Sequence, residues 1–339
     1  MRVYTCPACN EPVYFRNLGC SCGAELSYDP EQDRFVQGAA WCSNRQKIAC
    51  NWIAEDKDGH CRSCSMTEII PDAFRDNNVS LWSDAEFAKR WVLSNLSRWG
   101  WFTNNDAGAR PRFHLLSEDT RKGEKPVIMG HADGLITINV IEADPVERER
   151  RRDDLSERLR TMNAHFRHEI AHFLQLRLSE DDTFLKEFRA LFGDETADYG
   201  EALKAYYANG APPDFEQRHV TRYASSHPHE DWAETAAHVM HLTDIVDSAA
   251  ASGLQRGDRP TFGYDAYAEP DAEALISQAV DLGLALNHVN RSMGLQDLYP
   301  FVISPLARQK MVFTHGAISN SRRSSNAVQA QREFSPAPN

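Results

Sequence analysis

The chain has 339 residues, 42% hydrophobic and 25% charged, enough for two domains and a substantial core. Acids outnumber bases 49 to 37, and the formal net charge of −12 argues against a general binder of nucleic acid or of anionic membrane surfaces. No apolar run approaches the ~18 residues of a membrane span, and the opening MRVYTCPACN lacks the apolar stretch of a secretory signal, so the expectation is a cytoplasmic protein.

All eight cysteines fall within residues 6–64. A disulfide framework suits a small secreted domain, whereas in a chain without a signal segment clustered cysteines read as metal ligands. Cys6-x-x-Cys9 groups with Cys20-x-Cys22, and Cys42 and Cys50 group with Cys61-x-x-Cys64, giving two four-cysteine sites. The CxxC knuckle lets two thiolates meet one tetrahedral ion at about 2.3 Å. Four thiolates leave no open position, so the role is structural, stabilising a segment with little core of its own. The tighter Cys20-Ser-Cys22 spacing leaves room for interleaved ligation, His60 beside Cys61 is an alternative ligand, and four thiolates would hold iron as well as zinc.

Residues 1–70 are expected to form a zinc ribbon of small hairpins, followed by loop over 71–79. Ser83-Asp84 opens a helical pattern with Phe87, Trp91, Leu93 and Leu96 on its apolar face and Gly100 as its stop. Residues 102–125 show little periodicity and read as loop. Two strands then flank the turn pair Asp133-Gly134, over 127–131 and 135–140. From Pro145 the segment ERERRRDDLSERLR mixes both charge signs, the pattern of a solvated helix face with i,i+4 pairs; acids interrupt the arginines too often for a nucleic-acid patch. Helices are predicted over 161–177, 182–192, 196–208, 229–250, 272–294 and 304–314, with loops at 209–213 and 256–271. The tail over 319–339, rich in Ser, Arg, Asn, Gln and Pro, is expected to be disordered. The fold class predicted is α+β: the ribbon over 1–70, then a mainly helical domain over 80–318 with a small sheet.

The chemistry concentrates in Ala164-His-Phe-Arg-His168-Glu169-Ile-Ala-His172-Phe-Leu. On a helix, His168 and His172 stand one turn apart on one face and can share one Zn2+. Glu169, beside them, is placed as the general base toward a water that zinc activates. Two ordinary surface or core histidines are the competing reading. His165, one turn earlier on the same stripe, is a further ligand candidate, though such residues are more often plain helix-face histidines.

A catalytic zinc needs a third protein ligand and an open position. The segment His227-Pro228-His229-Glu230-Asp231-Trp232-Ala233-Glu234 best supplies it: Pro228 suits a helix start and acids suit its first turn. Glu230 and Glu234 again share one face, so one can bind metal while the other accepts the N–H of a ligating histidine. Asp231 points off that stripe. His227 and His229 are competing ligands or substrate contacts, and His238 and His241 continue the face and could line the cleft.

These stretches together resemble the bacterial zinc-binding metallopeptidases that carry an N-terminal zinc-ribbon domain. The resemblance is carried by CPAC with YFRNLGCSCG, ACNW with HCRSC and IIPD, GHADGLITINVIEAD, ERERRRDDLSERLRTMNAHFRHEIAHF, FRALFGDETADY and YASSHPHEDWAETAAHVMHLTD, in order over most of residues 1–254. It implies a gluzincin-like (zincin-fold) peptidase domain, in which the first acid of the downstream helix, Glu230, is the zinc ligand and Glu234 its outer partner. It also implies Tyr223 as a hydrogen-bond donor to the developing oxyanion, and an exposed strand edge, expected within 135–140, that takes the substrate by strand addition. Two departures are visible: the family's second knuckle is usually CxxC where this chain has Cys20-Ser-Cys22, and an aromatic often follows the Pro where this chain has His229.

The reading is a zinc-dependent peptidase acting on a peptide or protein substrate, with one catalytic and up to two structural zinc ions. A non-catalytic scaffold that recruits a protein partner through the ribbon is the alternative. A di-metal carboxylate bundle fails because Glu169-x-x-His172 has no second Glu-x-x-His half.

Overall fold

In the computed structural model, which describes residues 2–75, 77–155, 159–254, 263–299 and 302–319, the chain begins with two small antiparallel hairpins. Strand β1 (Tyr4–Thr5) pairs with β2 (Pro12–Val13), and β3 (Ser27–Asp29) with β4 (Arg34–Val36). So little strand cannot hold itself together, and an aromatic cluster helps: Tyr4 and Phe35 meet at 5.4 Å and Phe15 and Tyr28 at 5.0 Å between ring centroids. The hydroxyls of Tyr4 and Tyr28 both donate to Asp33 Oδ1 at 2.8 Å. Two single-turn helices follow, α1 (Arg45–Ile48) and α2 (Arg62–Ser65).

Strand β5 (Thr67–Ile69) leads into helix α3 (Asn78–Arg98), which begins five residues before the Ser83 start that the sequence suggests. Ser83 does not cap, because its hydroxyl donates to the carbonyl of Ile48 at 3.0 Å. The helix ends on schedule, with Gly100 at φ +94°. Part of the stretch expected to be loop, 102–125, is strand. β6 (Arg112–Leu116) buries Phe113 and Leu115, and a small hairpin, β7 (Asp119–Thr120) with β8 (Gly123–Glu124), follows it. Its alternation is real but spans only five residues, and its ladder partners are remote: Phe113 pairs with Ile136 on one side and Thr67 on the other.

β9 (Gly130–Ala132) and β10 (Leu135–Asn139) form the expected hairpin, and both turn residues have positive φ, +48° at Asp133 and +78° at Gly134, as a type I′ connection needs. The sheet order is β5-β6-β10-β9, with β5, β6 and β10 parallel and β9 antiparallel. This corrects the expectation that 135–140 offers the free edge: β10 is paired on both sides, and the edge strands are β5 and β9, of which β9 lies beside the helix that carries His172.

Helix α4 (Pro145–Leu155) precedes α5 (Met162–Leu178), whose start is fixed by Thr161 accepting from Ala164 N at 3.1 Å. Then come α6 (Asp182–Phe192), α7 (Tyr199–Asn209), α8 (Phe215–Arg218), α9 (Pro228–Ala251), α10 (Ala272–Ser292) and α11 (Pro305–Ser319). The layers run sheet, α5, α9, then α10 and α11. Phe113 of the sheet meets Phe166 of α5 at 5.9 Å, and Trp232 of α9 donates to the carbonyl of Ala171 on α5 at 2.8 Å. On its far side α9 is held by the buried pair Lys310–Asp231 and by the bond between His238 Nδ1 and the Tyr299 hydroxyl. Residues 255–318, to which the sequence assigns helices but no role, thus include the outer support of α9. No helix of the described residues is long and apolar enough to cross a membrane. Residues 320–339, most of the tail expected to be disordered, lie outside the described residues.

Candidate metal centres

Helix α5 sets His168 and His172 one turn apart with their Nε2 atoms 3.2 Å from each other. The start of α9 delivers the third group. His227 caps it, its Nδ1 accepting from His229 N at 3.1 Å, Pro228 follows, and Glu230 then lies in the first turn with only 1% of its surface exposed. Glu230 Oε2 is 3.0 Å from His168 Nε2 and 3.5 Å from His172 Nε2. Donors held about 2.0–2.1 Å from a tetrahedral ion stand about 3.3 Å apart, and these three separations bracket that value. Glu230 Oε2 is moreover a buried carboxylate oxygen without a hydrogen bond among the described residues. Such an oxygen is costly unless something positive meets it, so the donor set fits a divalent ion.

The neighbours of these three groups are ordered as well. Glu234 Oε1 lies 2.7 Å from Nδ1 of His168, and its other oxygen accepts from the Thr221 hydroxyl at 2.7 Å. Protonated on Nδ1, His168 turns the lone pair of Nε2 to the shared centre. The Tyr199 hydroxyl donates to Glu230 Oε1 at 2.7 Å. Burial alone would raise the pKa of Glu230, but the imidazoles of His172 and His168 hold it well below the usual carboxylate range. Glu169 is different: it is buried with Oε2 lacking a hydrogen bond, and burial pushes its pKa up against the pull of His168 and His172.

Tyr223 opens a one-turn 3-10 segment, Tyr223–Ser225, with its ring 6.1 Å from that of His168. Burial, then Glu230 and Tyr199, push its pKa far up, so its O–H remains a donor. On the other side, His131 of the edge strand β9 stacks on His172 at 6.2 Å and 11°. Burial and His172 lower its pKa to about 4, so it is neutral. Neither Tyr199 nor His131 was singled out in the sequence; no spacing rule ties a residue in another element to the zinc helix.

The other histidines and Asp231 go elsewhere. His165 faces the buried Glu142 at 3.5 Å. His227 bonds the carbonyl of Ala197 at 3.1 Å, and His229 Nδ1 meets Gln175 Oε1 at 2.9 Å. His238 and His241 do not line a cleft over the site: they are buried, His238 on Tyr299 and His241 on Arg167. Asp231 pairs with Lys310 and with His219 at 3.1 Å.

The eight cysteines gather as grouped from the sequence, with no disulfide. In the first cluster Cys6 and Cys22 sulfurs are 3.9 Å apart and those of Cys9 and Cys20 3.6 Å, so the short Cys20-Ser-Cys22 spacing still brings both thiols in. In the second, Cys50 lies 3.6 Å from Cys61 and 3.9 Å from Cys64, and the amide of Cys61 donates to Cys42 Sγ at 3.4 Å. Thiolates about 2.3 Å from a tetrahedral ion stand about 3.8 Å apart, so both clusters fit one ion each. His60 is outside this set, turned to Asp56 at 3.8 Å.

Helix α3 adds a second mark of charge at the second cluster. Arg90 is 1% exposed, and its Nε and Nη1 have no hydrogen-bond partner among the described residues. Against the desolvation that would lower it, the thiolates of Cys50, Cys64 and Cys61 and the carboxylate of Glu86 raise its pKa. Glu86 itself is bonded by Lys89 at 2.9 Å and by Thr67 at 2.6 Å. A divalent ion with four thiolates carries two net negative charges, which is what a buried, unbonded guanidinium calls for.

A model of the family described as "putative zinc-binding metallo-peptidase" matches residues 78–317, and a zinc-ribbon domain model matches residues 3–40. The chain is similar to uncharacterized proteins of Mycobacterium bovis and of two strains of Mycobacterium tuberculosis, each 36% identical, with 94% of this chain and 95% of the relative covered. No solved structure matches it.

Proposed function

The chain belongs to this family of zinc-binding metallopeptidases, and from that premise we propose that it hydrolyses peptide bonds at a zinc held by His168, His172 and Glu230. The observation that carries the reading is the Nε2, Nε2 and Oε2 triangle at 3.0–3.5 Å around a buried carboxylate oxygen that no hydrogen bond reaches. Zinc there would supply Lewis acidity, making water a nucleophile near neutral pH and polarising the scissile carbonyl.

The chain's own groups do the rest. Glu169, its pKa raised by burial, takes the proton of the attacking water and passes it to the leaving amine. Glu234 fixes the ring of His168, and Thr221 fixes Glu234. The Tyr223 phenol donates to the oxygen that gains charge. An extended peptide or protein segment would lie along the free edge of β9, where backbone groups of 130–132 are open to strand addition. The two four-cysteine clusters hold structural zinc and leave no position for substrate.

The test is a mixed peptide library incubated with wild type and with Glu169→Gln, alongside zinc per chain. Wild type should cleave, Glu169→Gln should lose about 10²–10⁴-fold in rate, and both should carry the same zinc. A wild type with full zinc at all three sites that cleaves nothing in the library would leave the scaffold reading standing instead.

A further inference from the structure

Helix α7 is unusual among the helices around the site: it has eleven residues and none is buried. Its predecessor α6, equally long, buries Phe184, Phe188 and Phe192. Glycines at positive φ, Gly193 at +102° and Gly210 at +75°, close α6 and α7 and bracket the segment. A helix that buries nothing has little of its own packing to resist local opening. What ties α7 down leads to the metal site. Tyr199 donates its hydroxyl to Glu230 Oε1 at 2.7 Å and lays its ring 5.2 Å from His227, the cap of α9. Tyr206 sets its ring 5.9 Å from Tyr223.

We propose that Tyr199 is a positioning residue for Glu230, and that through it the seating of α7 over the site is coupled to metal binding. Glu230 has two oxygens. With Oε1 held by the phenol, Oε2 alone is turned to the two histidine nitrogens, so the carboxylate offers one ligand atom and a position stays open for substrate. Coupling of this kind is reciprocal: if seating α7 strengthens the site for metal, metal must seat α7. The helix then works as a lid whose seating the loaded site favours by the same factor, with Tyr206 and Tyr207 at its far end. This rests on metal binding at His168, His172 and Glu230, and not on the peptidase chemistry.

Hydrogen exchange over residues 199–209 and zinc affinity test it, in full-length wild type, His172→Ala and Tyr199→Phe. Wild type with zinc should exchange slowly across 199–209, and His172→Ala should lose that protection. Tyr199→Phe should fold, since α7 buries nothing. It should bind the third zinc about 10–100-fold more weakly, and when saturated it should exchange over 199–209 as fast as His172→Ala. Wild-type zinc affinity and full zinc-dependent protection in Tyr199→Phe would overturn the coupling alone. A wild type that takes up only two zinc ions per chain would remove the third metal and the coupling with it.

Discussion

The two thiolate clusters share a ligand set and differ in what surrounds it. In the first, Cys22 is exposed and Cys9 and Cys20 are half-buried, and the hairpins that carry them reach the helical domain through Phe15, 5.5 Å from Trp91, and Arg16, 2.8 Å from Asp84. In the second, all four cysteines are buried, Cys61 caps α2 by accepting from Cys64 N, β5 runs from α2 straight into the main sheet, and the buried Arg90 of α3 lies within electrostatic reach of Cys50, Cys64 and Cys61. The same bonds to a metal ion would therefore enter different folding equilibria. Around the first cluster they would organise a ribbon; around the second, the sheet and the helix on which α5 itself packs. The second cluster lies between the stretches that the two family models match, 3–40 and 78–317.

Removing each pair of ligands should separate the two. Binding of a structural zinc in a small metal-folded unit contributes about 10–16 kcal/mol, comparable with the whole stability of a domain, about 5–15 kcal/mol. Cys61→Ser/Cys64→Ser should therefore leave the main domain unfolded or aggregated, seen as loss of a cooperative thermal transition. Cys6→Ser/Cys9→Ser should lose one metal and the ribbon's order while the main transition survives with a modest fall. Equal damage from both pairs would show the ribbon to be as much a part of the core as the second cluster.

How much of this was legible depended on whether the physics is local. The i,i+4 histidines of α5, the Pro228 helix start and the cysteine spacings are all decided within a few residues, and each could be read directly. Glu230 and Glu234 could be read as a pair because they too share a helix face. Tyr199 could not: it closes FRALFGDETADY, one of the stretches that carry the resemblance, but it stands 31 residues from the glutamate it bonds, and no spacing rule gives it a role. Strand β6 is not legible because its pairing partners Thr67 and Ile136 are distant in sequence, and the alternation of 135–140 ahead of the zinc helix marks a strand without telling whether it lies at an edge. His131 reads as the last residue of the strand over 127–131, with no role, until the hairpin is folded over α5 and its ring stacks on His172.

Arg90 is the sharper probe of the second cluster, since it tests charge without touching a ligand. Replacing it with Met keeps the volume and the apolar contacts of α3 but strands the net negative charge of the loaded site. Removing one member of a buried charge pair costs about 3–5 kcal/mol, so Arg90→Met should lower stability by that order and release the second cluster's metal to a chelator sooner than wild type does. Arg90→Lys should recover part of both. If Arg90→Met holds its metal as wild type does, the guanidinium is not the cluster's counter-charge.

The smallest effect expected is at His60, which decides whether the second cluster is made of cysteines alone. Its ring is about one-third exposed and 3.8 Å from Asp56, and what orders the turn is its backbone amide, donating to Asp56 Oδ1 at 2.7 Å. An alanine keeps that amide and loses only a long, solvent-screened contact, so His60→Ala should shift stability by no more than about 0.5 kcal/mol with the metal count unchanged. The four sulfurs already lie within 4.8 Å of one another, enough to fill a four-coordinate site, so the imidazole could enter only by displacing one of them. Loss of one metal per chain in His60→Ala would show that it does, and would reduce the net negative charge that Arg90 faces.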